Sequence, residues 1–142
     1  MLLVDERGVP LSIIVVGANR HDVTQLESTL DAIIVERPEV RPYHPQNLCA
    51  DAAFTGEPAH EQIVARDYCP HVRSRGEEKL RMKSGYKPRR WIVEVAHSWF
   101  NRFRKLLVRY EKTDVSYLGL NMLAASIICF RKVPGTTNII YG

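Results

Sequence analysis

The chain opens with four apolar residues, 1–4, followed by the turn sequence Asp5-Glu6-Arg7-Gly8 and then by residues 9–16, which are rich in β-branched side chains. That pattern predicts two strands joined by a short turn, a hairpin. Residues 17–22 break the second strand, and from Val23 the apolar positions Leu26, Leu30, Ile33 and Ile34 recur at helical spacing until Pro38, which predicts a helix of about four turns. Residues 37–45 hold three prolines and read as a loop; residues 47–50 are a short buried strand ending at Asp51. Residues 57–66 have helical spacing through Ile63 and Val64, and residues 68–72 form a short strand that Pro70 confines to an edge or irregular position.

Residues 73–88 contain Arg73, Arg75, Lys79, Arg81, Lys83 and Lys87 with two glycines and few apolar side chains, so they read as a mobile basic connector. The longest helix follows. At 100° per residue, Ile92, Val95, Trp99, Phe103, Leu106 and Tyr110 fall within about a 60° arc, while Arg90, Glu94, His97, Asn101, Arg104 and Lys105 lie on the opposite side. A further helix begins at about Asp114, with Thr113 or Asp114 as its N-cap; it is apolar nearly all round and is expected to be buried, closing the fold. Residues 131–142 read as a frayed tail. The elements alternate β-β-α-β-α-β-α-α, an α/β pattern, and no internal repeat interrupts it.

Composition adds bounds. With 142 residues, 45% hydrophobic and 25% charged, one domain with an ordinary core is expected, burying roughly two-thirds of the surface that the unfolded chain exposes. Disulfides are not needed to hold it. Cys49, Cys69 and Cys129 cannot all pair and show no Cys-x-x-Cys spacing, which points to a reducing compartment and away from a zinc site. Cys49 and Cys69 read as buried small apolar residues rather than nucleophiles. Residues 115–130, the longest apolar stretch, are too short and too polar to span a bilayer, and no signal peptide is visible, so a cytoplasmic protein without a membrane partner is expected.

Charge divides the chain. Residues 1–71 carry five Lys or Arg against eleven Asp or Glu, a net −6, whereas residues 72–142 carry fifteen against five, a net +10. The second half is therefore the part suited to a polyanion, although a basic solvated helix that merely keeps the protein soluble has the same signature.

Two acids stand out. Asp51 ends an apolar strand before the small residues Ala52 and Ala53, where open α/β sheets place ligands; an aspartate capping the next helical turn would look the same. Glu94 is the acid on the basic face of the long helix, one turn from Arg90, with a surface Arg90–Glu94 pair as the plain alternative. Acids on a strand end and on a helix are what two-metal phosphoryl chemistry uses, with Mg²⁺ ions about 4 Å apart acting on the attacking and leaving oxygens. Two acids are one short of the usual set. His97 suits contact with phosphate or solvent, and Asn19 to Asp22 suit helix capping.

Several blocks taken together resemble a known family: residues 2–11 (Leu-Leu-Val-Asp-Glu-Arg-Gly-Val-Pro-Leu), Ala18-Asn19-Arg20-His21-Asp22, Ala50-Asp51, Arg90-Trp91-Ile92-Val93-Glu94, and residues 97–106 (His-Ser-Trp-Phe-Asn-Arg-Phe-Arg-Lys-Leu). In this order and separation they are similar to the DDE transposases of bacterial insertion sequences, of the "insertion sequence five" type, over residues 1–133. The resemblance implies an RNase H-like fold, binding of the element's terminal inverted repeats and of target DNA, and strand cleavage and transfer dependent on Mg²⁺ (or Mn²⁺). It identifies Asp51 with the family's second catalytic aspartate, Glu94 with its catalytic glutamate and Arg90 with the arginine four residues before it. Departures are Ala52-Ala53-Phe54 where Lys-Gly-Tyr is common, Val95 where an arginine usually follows the glutamate, and Asn101 in place of a lysine, with Arg104 and Lys105 as partial substitutes and Tyr86 as the nearest tyrosine.

In the family the first catalytic aspartate lies on a strand before the one at residues 2–4, and a helical DNA-binding region precedes that. The chain thus resembles an incomplete RNase H-like domain lacking the first strand: either a second reading frame, joined to its upstream portion by ribosomal frameshifting, or a decayed remnant. Asp5 belongs to a turn and is not the first aspartate. Arg73, Arg75, Lys79, Arg81, Lys83, Lys87, Arg89, Arg90, Arg102, Arg104 and Lys105 are the expected DNA-phosphate contacts. The expected partners are DNA, an upstream-frame transposase portion and a second copy in a homodimer, at the bacterial nucleoid. The competing readings are a non-catalytic DNA-binding relic or regulator fragment, and a purely structural α/β domain.

Overall fold

The computed structural model describes residues 1–17, 19–72 and 91–134. The predicted basic connector, residues 73–88 with Arg73, Arg75, Lys79, Arg81, Lys83 and Lys87, the following Arg89 and Arg90, and the end of the tail from residue 135 lie outside the described residues.

The predicted hairpin is present. Strands β1 (Leu2–Val4) and β2 (Pro10–Ile13) run antiparallel with Leu2 opposite Ile13 and Leu3 opposite Ser12. The turn is held by the Asp5 carboxylate, whose Oδ1 accepts the backbone N–H groups of Arg7 and Val9, each at 2.8 Å. Gly8 is buried at φ +79°, and a Cβ there would lie 3.1 Å from the Trp99 ring, so both the backbone and the packing require glycine. Residues 14–16 run on outside the ladder.

The predicted four-turn helix is shorter than expected. A 3₁₀ turn (Asp22–Gln25) leads into α1 (Leu26–Asp31), and residues 33–35 are not helical. Leu26 and Leu30 are buried as the periodicity required, but Ile34 is 76% exposed and its backbone N–H donates to the Leu11 carbonyl at 3.3 Å. The β-branched run Ile33-Ile34-Val35 disfavours further helix, and its backbone turns toward β2 instead.

Strands β3 (Gln46–Ala50) and β4 (Tyr68–Val72) are parallel and in register, Gln46 opposite Tyr68 through Ala50 opposite Val72, joined by a 3₁₀ turn (Ala52–Phe54) and helix α2 (Glu57–Val64). Pro70 sits on β4, which among the described residues pairs only with β3, so its missing N–H breaks no second ladder there. The two strand pairs form separate two-stranded sheets.

The long predicted helix is broken. Helix α3 (Trp91–Phe100) ends in a turn at 101–103, and Phe103, in an extended conformation, starts the short α4 (Arg104–Leu107). The expected apolar arc therefore fails at its far end: Phe103 and Leu106 are half-buried, but Tyr110 is 74% exposed. Helix α5 (Asp114–Lys132) starts at Thr113, whose Oγ1 accepts the Ser116 N–H at 3.2 Å. It is not buried all round. Ala124, Ala125 and Ile128 form its buried stripe, whereas Val115, Leu123 and Phe130 are exposed.

Two cores result. Ile13, Phe100, Ala124, Ala125 and Ile128 form one, with Leu2 and Trp99 packed against it; Leu26, Leu30, Leu48, Ala59 and Ile63 form the other, with Leu3 packed against it. Leu2 and Leu3 are successive residues of one strand and so point to opposite faces. The architecture is mixed α/β in layers, with α3 and α5 on one face of β1 and α1 and α2 on the other.

Candidate active site

Between the strand pairs lies a cavity of about 390 Å³. Its walls are residues 1–6, around β1, and 47–51, around β3; Leu26, Thr29 and Leu30 of α1 close one side and Ile92, Val93, Glu94 and His97 of α3 the other. Asp51 and Glu94, 43 positions apart in sequence, thus line the same cavity. β3 delivers Asp51 at its carboxyl end, and α3 delivers Glu94 from its first turn.

Asp51 is exposed and also performs the plain role weighed for it: its Oδ1 accepts the Ala53 N–H at 2.7 Å, capping the 3₁₀ turn. A carboxylate has two oxygens and about four lone-pair positions, so one capping bond does not exhaust it. Glu94 is exposed and lies with His97 on the face of α3 that borders the cavity. Asp5, which holds the hairpin turn, reaches the cavity wall too.

His97 lines this cavity and a second one of about 270 Å³, bordered by residues 13–16 and by Asn101, Arg109, Tyr117 and Asn121. Desolvation, with the Met1 ammonium adding to it, holds the His97 imidazole below its ordinary pKa. In the second cavity the polar groups are already engaged: the Tyr117 hydroxyl donates to the Leu106 carbonyl at 3.3 Å, tying α5 to α4, and Asn121 Nδ2 donates to the Tyr117 carbonyl of its own helix at 2.8 Å.

Among the described residues, no group of three or more His, Cys, Asp and Glu side chains could together hold a metal ion. The cysteine expectation is corrected: Cys49 and Cys69 are exposed rather than buried. On β3 the buried side chain is Leu48, and strand alternation turns Asn47 and Cys49 outward; His71 of β4 bonds Asn47 through Nε2 to Oδ1 at 2.7 Å on that outer face. Cys129 is half-buried, and burial pushes its thiol up in pKa.

Of the cations expected to meet DNA, Arg102, Arg104 and Lys105 are described, and all three are exposed at the turn between α3 and α4 and on α4 itself. Reasoning from spacing found Asp51 and Glu94 but gave Phe54, Leu3 and Leu30 no part in the site; they reach it only because the tertiary fold folds α1 and β1 against the end of β3.

The chain belongs to the family described as the transposase DDE domain, whose model matches residues 1–129. Over 135 residues it is 31% identical to a Burkholderia cepacia protein described as a transposase for insertion sequence element IS402, a match that takes in 91% of this chain and 61% of that relative. The chain thus spans about three-fifths of the relative's length. No solved structure matches it. No helix among the described residues is long and apolar enough to cross a membrane.

Proposed function

We propose that the chain is the C-terminal part of an insertion-sequence DDE transposase with an RNase H-like fold, and that Asp51 and Glu94 are two of its catalytic metal ligands. The observation that supports this reading is that Asp51 and Glu94 both line one cavity, at the positions that the family resemblance assigns to catalytic acids. Hard carboxylate oxygens suit Mg²⁺ or Mn²⁺, and Mg²⁺ commonly takes only one or two protein carboxylates while keeping several waters. Two acids therefore fit one such ion. When bound, one such ion would supply half of two-metal phosphoryl chemistry, at either the attacking water or the leaving 3′ oxygen of a phosphodiester.

The chain's own residues supply placement. The cap from Asp51 to Ala53 fixes the aspartate at the end of β3, and packing of α3 on the hairpin fixes the height of Glu94. Arg102, Arg104 and Lys105, joined by Arg73, Arg75, Lys87, Arg89 and Arg90, would neutralise phosphates of the element's inverted repeats and of target DNA.

The test is nicking of inverted-repeat DNA with Mg²⁺ or Mn²⁺ by this chain co-expressed with the upstream portion of a full-length relative. Asp51→Asn keeps the capping oxygen and removes the charge; Asp51→Asn and Glu94→Gln should each abolish nicking without loss of folding. Nicking that survives both substitutions overturns the assignment. A second reading, a non-catalytic DNA-binding relic, is favoured by the lack of any three-residue ligand group among the described residues. It requires salt-dependent DNA binding with no metal-dependent cleavage by the completed protein.

A further inference from the structure

A helix packed on one side ordinarily carries charged residues on the other, yet residues 115–130 of α5 contain no Asp, Glu, Lys or Arg. Ala124, Ala125 and Ile128 turn inward to the core with Ile13 and Phe100. At 100° per residue, Val115, Gly119, Leu123 and Ser126 fall within an arc of about 80° on the side away from them. Val115 is 81% and Leu123 58% exposed. Phe130, which keeps a contact of its own, continues that line and is exposed. The hydroxyl on the line is already engaged, since Ser126 Oγ donates to the Met122 carbonyl of its own helix at 2.9 Å.

Gly119 adds a second, independent observation. Glycine inside a helix is destabilising relative to alanine, and a Cβ at Gly119 would meet nothing within 4 Å. No described neighbour therefore calls for its small size. A backbone approaching from outside the helix does.

We infer that this face is where two copies of the chain pair, α5 against α5, antiparallel about a two-fold axis that passes between residues 122 and 123. In that register Gly119 of each copy lies opposite Ser126 of the other, small against small, and Leu123 packs on its own counterpart, as a two-fold interface demands. Charge sets the direction. Asp114 stands in the first turn of α5 and Arg131 and Lys132 in its last, so antiparallel pairing lays each acidic end beside a basic end and opposes the helix dipoles, whereas parallel pairing would bring like ends together. Area sets the strength. The 19 residues of α5 span about 28 Å, and a face about 10 Å wide covers roughly 300 Å² per copy, short of the ~800 Å² per partner of a standard interface. The pair is therefore weak and concentration-dependent, with a dissociation constant on the order of 10 µM or above.

The inference goes beyond the proposed function and needs neither metal nor DNA. Its rival occupant is the portion of a longer transposase that the match to the Burkholderia cepacia relative leaves uncovered.

The experiment is sedimentation equilibrium of the full chain from about 5 to about 500 µM. The weight-average mass should rise from 16.3 kDa toward twice that value. Leu123→Glu should weaken pairing at least about tenfold with the unfolding midpoint of the dilute chain unchanged, because the side chain it replaces is exposed. Gly119→Ala should raise that midpoint and yet weaken pairing. For direction, Leu123→Cys and Val115→Cys are each placed in a chain carrying Cys49→Ser, Cys69→Ser and Cys129→Ala, with folding checked by circular dichroism, and oxidised with glutathione disulfide. Leu123→Cys should cross-link to its own copy; Val115→Cys, whose copies lie about 22 Å apart in the antiparallel register, should not. A chain that stays monomeric throughout would leave the face to the upstream portion and overturn the inference. Pairing indifferent to Leu123→Glu or to Gly119→Ala, or cross-linking through Val115→Cys, would overturn it equally. Because the readout is mass, a monomeric chain leaves the metal assignment standing, and loss of nicking leaves the paired face standing.

Discussion

Replacing Ile63 by alanine tests whether the two cores are separate energetic units. Ile63 is fully buried on α2, in the cluster with Leu26, Leu30, Leu48 and Ala59, on the opposite face of β1 from the cluster built around Ile13 and Phe100. Truncation removes three carbons from a site with no solvent access, and substitutions of this kind cost about 2–5 kcal/mol, the upper part applying where the surroundings cannot collapse. Here α2 is clamped between α1 and β4, and Arg66, just past its end, is tied to Asp31 and Glu27 of α1 at 2.8 and 3.1 Å, so collapse is restricted. At about 4 °C per kcal/mol for a domain of this size, the midpoint should fall by roughly 8–20 °C. The locus matters more than the amount. Hydrogen exchange should accelerate in α1, α2, β3 and β4, while amides of β2, α3 and α5 keep their protection under native conditions, because local openings follow contiguous packed units. Equal acceleration in both sets, at the same loss of global stability, would show one cooperative core and refute the division.

Further outcomes follow from single contacts. Gly8→Ala places a side chain at φ +79° and 3.1 Å from Trp99; the strain and the packing together should cost about 2–4 kcal/mol in urea unfolding. Thr113→Ala removes the cap on the Ser116 N–H and should cost about 1 kcal/mol, with Thr113→Ser recovering most of it. For His97, whose native pKa lies below the ordinary 6.5 mainly through desolvation, the unfolded chain takes up the proton first as pH falls. Stability should therefore decline as pH drops below about 6.5 and be flat above it, and His97→Asn should flatten that decline in urea titrations at roughly pH 7 and pH 5. If Arg104 and Lys105 contact phosphates, changing both to glutamine should reduce the log–log salt slope of DNA binding by about 2, read by fluorescence anisotropy.

Local chemistry was legible in the sequence, and distant packing was not. The turn at Asp5 to Gly8, the cap at Thr113, the edge position of Pro70 and the strand ending at Asp51 all rest on residues within a few positions of one another, and each appears where the pattern puts it. The readings that failed depended on what lies opposite. Ile33 and Ile34 continue the helical period of Leu26 and Leu30, but β2 captures the Ile34 amide. The arc from Ile92 to Tyr110 presumes one straight helix, and the turn at Phe103 ends it. Leu123 and Phe130 are as apolar as Ile128, yet only the stripe facing β2 is buried. For the site, Asp51 and Glu94 were found one at a time; that they line one cavity is a property of the packing of α3 across the hairpin.

The hairpin at the start of the chain is covered on its upper side by the last long helix: Leu2 and Ile13 pack with Ala124, Ala125 and Ile128, and the Cys129 thiol reaches the Pro10 carbonyl across 119 positions. On the ribosome, the residues that shield Ile13 are made more than 110 residues after it. At about 5–20 residues per second, roughly 6–20 s pass between the emergence of the strand and that of its cover. The unit from β3 to β4, whose strands and connecting helix lie within 27 consecutive residues, closes early and locally during the same interval. The nascent hairpin therefore waits with apolar side chains exposed beside an already formed neighbour, and that interval is when the hairpin is open to mispairing and to chaperones.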